Sequence, residues 1–206
     1  MKTSLFAGII LAGGNSTRMG TNKKDLILEG VTMLERTINV LDPLVSQIIV
    51  VLKASEKGEK HFCNSNEKIV IAYDSISNQG PLQGIVDGLD YLRLAANHIF
   101  LLTCDLPYLT GDWLSNLKKQ YLKLRVDGVV TSVDGFTNPL IALYHKKVLN
   151  YSRQLMAEGK KRPLDLWEKF NVRPIDINRE NQQIVQDMNT PEAYQKACLY
   201  YKETAP

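Results

Sequence analysis

Residues 5–24, LFAGIILAGGNSTRMGTNKK, decide how the rest of the chain is read. The apolar run 5–11 has the composition of a buried strand and stops abruptly at Ala12-Gly13-Gly14. Paired glycines after such a strand allow backbone angles and approach distances that a Cβ would forbid, and their amide N–H groups can face an anion. Arg18, Lys23 and Lys24 follow within a few residues. A glycine turn beside cations suits a polyphosphate, although the same residues also fit a tight surface turn followed by solvated lysines. The stretch is neither of the two common glycine loops, because GxxxxGK[ST] and GxGxxG spacings are both absent.

Outward from this stretch, Thr32 and Glu35 have the spacing of a capping box, and Leu34, Ile38 and Leu41 follow at helical intervals until Pro43. Residues 47–52 read as a β-branched strand, 53–68 as a charged loop with at most a short helix, and 68–73 as the next strand. Residues 74–80 are a polar loop, Pro81 stands where a helix begins, and Leu82, Ile85, Val86, Leu89 and Leu92 share one face of it. Residues 99–103 form a short apolar strand, and Thr110 is placed to cap the helix carrying Trp113, Leu114 and Leu117. Beyond it the pattern gives a strand at 128–132, a turn at 134–139, a returning strand at 140–144 and a helical stretch at 146–156. A short helix at 164–170, a strand at 172–177, a short strand at 183–186 and a last helix opened by Thr190-Pro191 complete the chain. Strands alternating with helices of this length predict a Rossmann-like α/β fold, a three-layer αβα sandwich with a mostly parallel sheet. No repeat, low-complexity tract or long linker divides the 206 residues, so 1–206 is expected to form a single domain.

Composition narrows the classes of partner. With 44% hydrophobic residues the chain can fill a sizeable core, and 25 Lys plus Arg against 22 Asp plus Glu give no dense basic face for nucleic acid. The mild positive excess fits a small acidic ligand. The N-terminal apolar run is too short for a signal peptide, lacks a small-x-small cleavage site and supplies the best strand; no stretch approaches the ~18 apolar residues of a membrane span. Cys63, Cys104 and Cys198 are odd in number and widely spaced, as expected of free thiols in a reducing cytoplasm. His61, His98 and His145 are equally scattered, so a His/Cys zinc cluster has no support.

In an open α/β sheet, ligands sit outside the carboxyl ends of the strands. Three loops occupy such positions, 12–24, 74–80 and 105–107, and they are expected to converge on one crevice. Asp105, directly after the run 99–103, is a carboxylate at the rim of the core, where an ion must be paired or metal-bound. Oxygen ligands suit Mg²⁺, commonly held by one or two carboxylates with substrate phosphates; an Asp capping the turn is the plainer alternative. Lys24 offers a mobile ammonium that can neutralise charge developing on phosphates during displacement.

Leu11-Ala12-Gly13-Gly14-Asn15-Ser16-Thr17-Arg18-Met19-Gly20, followed by Lys24, resembles the signature of the nucleotidyltransferases that activate sugars and cofactors. The double glycine most resembles the molybdenum cofactor guanylyltransferase branch, since other branches more often carry LAAG. The resemblance implies the nucleotide-diphospho-sugar transferase fold, with Leu11, Ala12, Gly13 and Gly14 in the nucleotide site. It makes Lys24 the signature lysine and Arg18 the arginine on the leaving pyrophosphate side. The family usually has an acidic residue before that lysine, where this chain has Lys23; the spacing from Gly20 favours Lys24. The Asp-x-Pro of Asp105 to Pro107 resembles the family's metal motif, which would make Asp105 the holder of Mg²⁺ between phosphates.

Gly80-Pro81-Leu82-Gln83-Gly84 resembles the family's GPL-x-G loop, which closes over the nucleotide, with Asp74 on the base and ribose side. Gly84 reads equally as a close helix–sheet contact. Asn138-Pro139-Leu140 resembles the strand under the acceptor, where Asn138 would touch the pterin or its phosphate, though Asn138 reads more plainly as a turn residue. Lys160, Lys161 and Arg162 form a basic knot that suits an acceptor phosphate or plain solvation. Asp187-Met188-Asn189-Thr190-Pro191 resembles the closing motif, placing Asn189 near the metal or phosphates, while Thr190 and Pro191 suffice as a helix cap and first turn.

The reaction implied by the resemblance is attack by the terminal phosphate oxygen of Mo-molybdopterin on the α-phosphate of GTP, releasing pyrophosphate and leaving the guanine dinucleotide cofactor. GTP, Mo-molybdopterin and Mg²⁺ are the implied ligands. A molybdenum insertion protein and molybdoenzyme chaperones are the implied pathway partners. The alternatives are a CTP-dependent molybdopterin cytidylyltransferase, a sugar-phosphate nucleotidyltransferase and, from another class, a non-catalytic GTP-binding partner.

Overall fold

The structure, a computed structural model, describes residues 5–14, 22–58, 67–75, 80–93 and 95–204. The opening apolar run forms β1 (Phe6–Leu11), whose side chains alternate between two apolar clusters, Phe6 and Ile10 in one and Ile9 in the other. A small hairpin of β2 (Ile27–Leu28) and β3 (Val31–Thr32) leads into α1 (Met33–Leu41). The expected cap is present: Glu35 N donates to the Thr32 hydroxyl at 3.2 Å and the Glu35 carboxylate accepts from Thr32 N at 2.8 Å. Then come β4 (Gln47–Leu52), β5 (Ile69–Tyr73), α2 (Pro81–Asp90), β6 (His98–Thr103), α3 (Gly111–Leu124), β7 (Gly128–Val133) and β8 (Phe136–His145). The chain continues through α4 (Lys146–Asn150), α5 (Ser152–Ala157), β9 (Val172–Asp176) and α6 (Pro191–Thr204).

A sheet of seven strands runs in the order β5-β4-β1-β6-β8-β7-β9. β8 alone is antiparallel to its neighbours, so the other six strands point the same way. Leu34, Ile38 and Leu41 of α1 and Trp113, Leu114 and Leu117 of α3 cover one face. Leu82, Ile85 and Leu89 of α2, with Val148 and Leu155 of α4 and α5, cover the other. This is the three-layer sandwich the sequence predicts. The chain steps from β1 outward to β4 and β5, then returns to β6 on the opposite side of β1. The carboxyl ends of β1 and β6 therefore flank a topological switch point, where such sheets bind ligands. Among the described residues no helix is long and apolar enough to cross a membrane.

Several elements differ from the sequence reading. The turn expected at 134–139 contains only Asp134 and Gly135, both at positive φ (47° and 83°), the geometry that joins tightly twisted strands and that glycine tolerates. Asn138 and Pro139 therefore lie within β8, where pairing jumps from Val130↔Ala142 to Thr131↔Asn138 and leaves Pro139 in an irregularity that needs no ladder N–H. The single helical stretch at 146–156 is two short helices, broken at Tyr151. The short strand expected at 183–186 is a 3₁₀ turn, Arg179–Val185, whose Ile184 and Val185 pack into the core from one side rather than alternating across a sheet. Within the charged segment 53–68 the described residues form one 3₁₀ turn, Ala54–Glu56.

The amino end of the sheet carries a titratable pair. His98 opens β6 in register with His145 at the end of β8, with ring centroids 5.7 Å apart, and His98 Nδ1 meets the Tyr121 hydroxyl at 2.9 Å. Burial, then the neighbouring His145, lowers the proton affinity of His98; burial and Lys147 lower that of His145 against the opposing pull of Asp127. Both rings are thus held neutral more strongly in the folded state than in the unfolded chain. Their contribution to stability is complete above the ordinary histidine value of 6.5 and is lost as the pH falls through the lowered folded values. Thermal melts across this range should show a larger acid loss for the wild type than for an H98Q/H145Q variant.

Candidate functional site

At the switch point the ends of four strands open onto a cavity of about 500 Å³. Its lining comprises Leu11 at the end of β1 with Ala12 to Gly14, Asn22 to Lys24, Val51, Asp74 after β5, Gly80, Pro81 and Gly84 at the start of α2, Thr103 at the end of β6 with Cys104 and Asp105, and Leu140 of β8. The described residues of the three loops expected to converge do so. Register explains why: Leu11 pairs with Val51 on one side and Thr103 on the other, so the segments leave the sheet at one level. Ala12 N still donates to Val51 O at 2.9 Å and Asp74 N to Leu52 O at 2.8 Å, which fixes the start of each loop.

The two glycines after β1 differ in surroundings. A Cβ on Gly13 would lie 2.7 Å from Asp74 Oδ2 and 3.4 Å from the backbone of Leu52 and Lys53, whereas one on Gly14 would meet nothing within 4 Å among the described residues. Gly13 is the residue against which the Asp74 carboxylate is packed; Gly14 faces the open cavity. Gly80, at φ 82°, adopts a conformation that favours glycine, and Pro81 then occupies the first helical position of α2. Gly84 is a close helix–sheet contact, where a Cβ would lie 3.0 Å from Leu11 Cδ2, and it also lines the cavity. Leu82, expected at the nucleotide, is instead fully buried among the side chains under α2, because it lies on the sheet-facing side of that helix.

Lys23 and Lys24 face different partners. Lys23 Nζ lies 3.3 Å from Asp105 Oδ2 and donates to Asn189 Oδ1, joining the end of β6 to the segment before α6. Lys24 is 5% exposed and its ammonium is held by Asp25 at 2.9 Å and Glu56 at 3.2 Å. Burial alone would weaken the Lys24 proton's hold, but the hydrogen bond to Asp25 and the charge of Glu56 outweigh it, so the proton is held more tightly than usual. Lys24, the ammonium the sequence assigns to the site, lines the cavity together with Lys23, and it is Lys23 that the structure brings to Asp105. Arg18 lies outside the described residues.

The acidic groups of the rim are equally distinct. Met188 N donates to the Asp105 carbonyl at 2.9 Å, and burial followed by the Asp105 charge raises the proton affinity of Asp187, against Lys23 and Asn189. Asp105, Asp187 and Asn189 offer only oxygen donors, which suit a hard cation, yet among the described residues no three His, Cys, Asp or Glu side chains are grouped to enclose a metal. The fit is to an ion held by one or two carboxylates and completed by a ligand's oxygens. Burial, then the charges of Asp87 and Glu56, raises Asp74 from 3.8 to about 6, with Lys53 opposing. Asp87 is itself bound by Ser75 N at 3.0 Å, Ser75 Oγ at 2.8 Å and Gln83 Nε2 at 3.0 Å, a network that holds residues 74 and 75 against α2. Buried Cys104, pushed up to about 12, is no nucleophile at neutral pH.

The expected acceptor residues are placed less centrally. Asn138 accepts from Leu140 N at 2.9 Å, the plain structural use of such a residue, and lines a separate depression of about 230 Å³ with Phe136, Pro139 and Val185. Lys160 is paired with Glu168 at 2.7 Å and Arg162 approaches Asp165 at 3.8 Å. Exposed Lys161 has its carbonyl 3.8 Å from the Cβ position of Gly80, which puts its backbone beside the cavity mouth. Asn22 and Glu56 carry no local sequence signal; their roles come from contacts across the fold.

Residues 8–170 match the MobA-like NTP transferase domain, and the chain belongs to that family of nucleotidyltransferases. It is 30% identical over 199 residues to a "Probable molybdenum cofactor guanylyltransferase" of Bacillus cereus, covering 94% of this chain and 96% of the relative. Its fold is similar to that of the molybdopterin-guanine dinucleotide biosynthesis protein A of Archaeoglobus fulgidus, with TM-score 0.78, 20% identity and 96% and 100% of the two chains covered. A Mycobacterium tuberculosis protein whose structure contains manganese superposes with TM-score 0.68 at 15% identity, covering 95% of this chain and 99% of its own.

Two outcomes follow from the packing. G13A, which drives a methyl into Asp74, should cost on the order of 1–3 kcal/mol in urea unfolding, while G14A should stay within about 0.5 kcal/mol of wild type. Because Asp74 binds its proton more tightly when folded, its ionisation works against folding as the pH rises through about 6. D74N should therefore be more stable than wild type above that pH, with the gap closing in acid.

Proposed function

We propose that this chain is a molybdenum cofactor guanylyltransferase, transferring GMP from GTP to Mo-molybdopterin. The observation that carries the reading is the meeting of Lys23, Asp105 and the Gly13-Gly14 turn in one cavity, in a chain similar to the Bacillus cereus relative over nearly its whole length. In this reading the triphosphate lies over Gly13 and Gly14, with Gly14 leaving room for it. Asp74, Gly80 and Pro81 form the wall on the base and ribose side, and Leu82 supports that wall from beneath.

The acceptor phosphate oxygen attacks the α-phosphorus as the bond to the β-phosphate oxygen breaks, so no covalent enzyme intermediate is required. The acceptor is already anionic, and the chain's task is positioning and charge neutralisation. Lys23, and Arg18 by its place in the signature, supply positive charge for the leaving pyrophosphate; Lys24 anchors the segment that presents Lys23. Asp105, assisted by Asp187 and Asn189, would hold Mg²⁺, which when bound supplies Lewis-acid stabilisation to phosphate oxygens. Lys161 and Arg162 are assigned to the acceptor's entry side.

All 206 residues act as one domain in this proposal, because α6 is tied to the loop after β6 and to the β2–β3 hairpin: Tyr201 donates to the Pro107 carbonyl at 2.7 Å and Tyr194 to the Ile27 carbonyl at 2.9 Å. The proposed setting is the cytoplasm, where the free thiols stay reduced.

The test is pyrophosphate release with GTP, CTP or ATP, with and without loaded molybdopterin, and with sugar phosphates as alternative acceptors. GTP with molybdopterin should be clearly preferred. Equal turnover with CTP would replace the assigned nucleotide, and GTP binding without any pyrophosphate would favour a non-catalytic partner. D105N should keep the fold by circular dichroism and lose roughly a hundredfold in rate, on the order of 3 kcal/mol of transition-state stabilisation.

A further inference from the structure

Glu56 is an unexpected residue to find buried. It follows β4 in a charged, locally unremarkable segment, yet it is only 4% exposed. A carboxylate removed from water in this way must be fully partnered. Its oxygens accept from Lys24 Nζ at 3.2 Å, Asn22 Nδ2 at 3.4 Å and Lys53 N at 3.1 Å. The last contact closes its own 3₁₀ turn; the first two reach across to the segment that carries Lys23. That segment is itself a short 3₁₀ turn, Lys23–Asp25, with Asp25 N bonded to Asn22 O at 3.1 Å and Leu26 N to Lys23 O at 3.2 Å. Successive side chains in a 3₁₀ turn diverge by about a third of a revolution. Holding Asn22 and Lys24 on the Glu56 side therefore turns Lys23 towards Asp105.

We propose that Glu56 is a positioning residue: by gripping Asn22 and Lys24 it sets the place from which Lys23 meets Asp105. The inference rests on the triphosphate reading of the cavity only for its catalytic consequence. The structural half concerns residues 22–26 whatever the substrate is. The plain alternative is that Glu56 merely caps its own turn and balances a buried lysine.

The experiment uses the full chain with E56Q and K24M/E56Q. E56Q preserves shape and an acceptor for Lys53 N but leaves the Lys24 ammonium short of a partner, so its melting temperature should fall. The double variant removes both charges and should regain stability, as replacement of a buried ion pair by neutral groups often does. Two readouts then separate the proposal from the alternative. Hydrogen exchange at the Asp25 and Leu26 amides, referenced to amides of β1, should remain at least about tenfold faster than wild type in the double variant, and kcat for pyrophosphate release should stay on the order of tenfold or more down with KM for GTP changed less. Recovery of kcat together with stability would overturn the proposal, as would wild-type exchange at those two amides. If the wild type released no pyrophosphate from GTP, the functional reading would fail by itself, and the exchange measurement would still decide the place of Glu56.

Discussion

β1 is paired on both edges and covered on both faces, and the site exists because of where that saturated strand has to stop. Its last residue is in register with Val51 and Thr103, so the chain leaves three neighbouring strands at the same height. The rim this creates is lined by these strand ends and by the described residues that follow them. Gly13 fits there because the Asp74 carboxylate already occupies the space a side chain would need, and α2 can descend to Leu11 because Gly84 has no side chain. Each of these contacts depends on the parallel pairing that aligns the strand ends.

The charges on the rim fall into separate sets. One side joins Lys23 to Asp105 and Asn189; another joins Lys24 to Asp25 and Glu56; between them Asp74 stands near Asp87 and Glu56 with its proton held unusually tightly. Neighbouring lysines of identical chemistry thus differ in what they can do. An ammonium buried between two carboxylates is committed to holding the backbone. The other, beside Asp105 and Asn189, ties the end of β6 to the segment before α6. C-terminal residues belong to the same arrangement, since Met188 holds the Asp105 backbone and Tyr201 the Pro107 carbonyl.

Much of the fold was legible because its signals are local. The Thr32 and Glu35 cap, Pro81 at a helix start, and the apolar runs of β1, β4 and β6 depend on neighbours within one or two turns of chain. The misread places are those where local pattern and tertiary context compete. Asn138 and Pro139 look like turn residues but sit in an irregular strand, because the Asp134-Gly135 pair had already turned the chain. Ile184 and Val185 look like a strand but lie on a 3₁₀ turn packed against one face of the sheet.

For the site, the sequence by itself determined which loops would converge and which chemical groups they carry, since strand ends, glycines and rim carboxylates can be placed once the alternation of strands and helices is known. It also determined that Leu82 belongs to an apolar helix face, and the fold resolved that face as core rather than cavity. Only the tertiary structure decided which lysine meets Asp105 and that Glu56 is buried against Lys24. Lys23 and Asp105 are 82 residues apart, and the direction of a side chain over such a separation is set by the path of the backbone and by the partners that path brings within reach. No period or motif in the chain encodes that path directly.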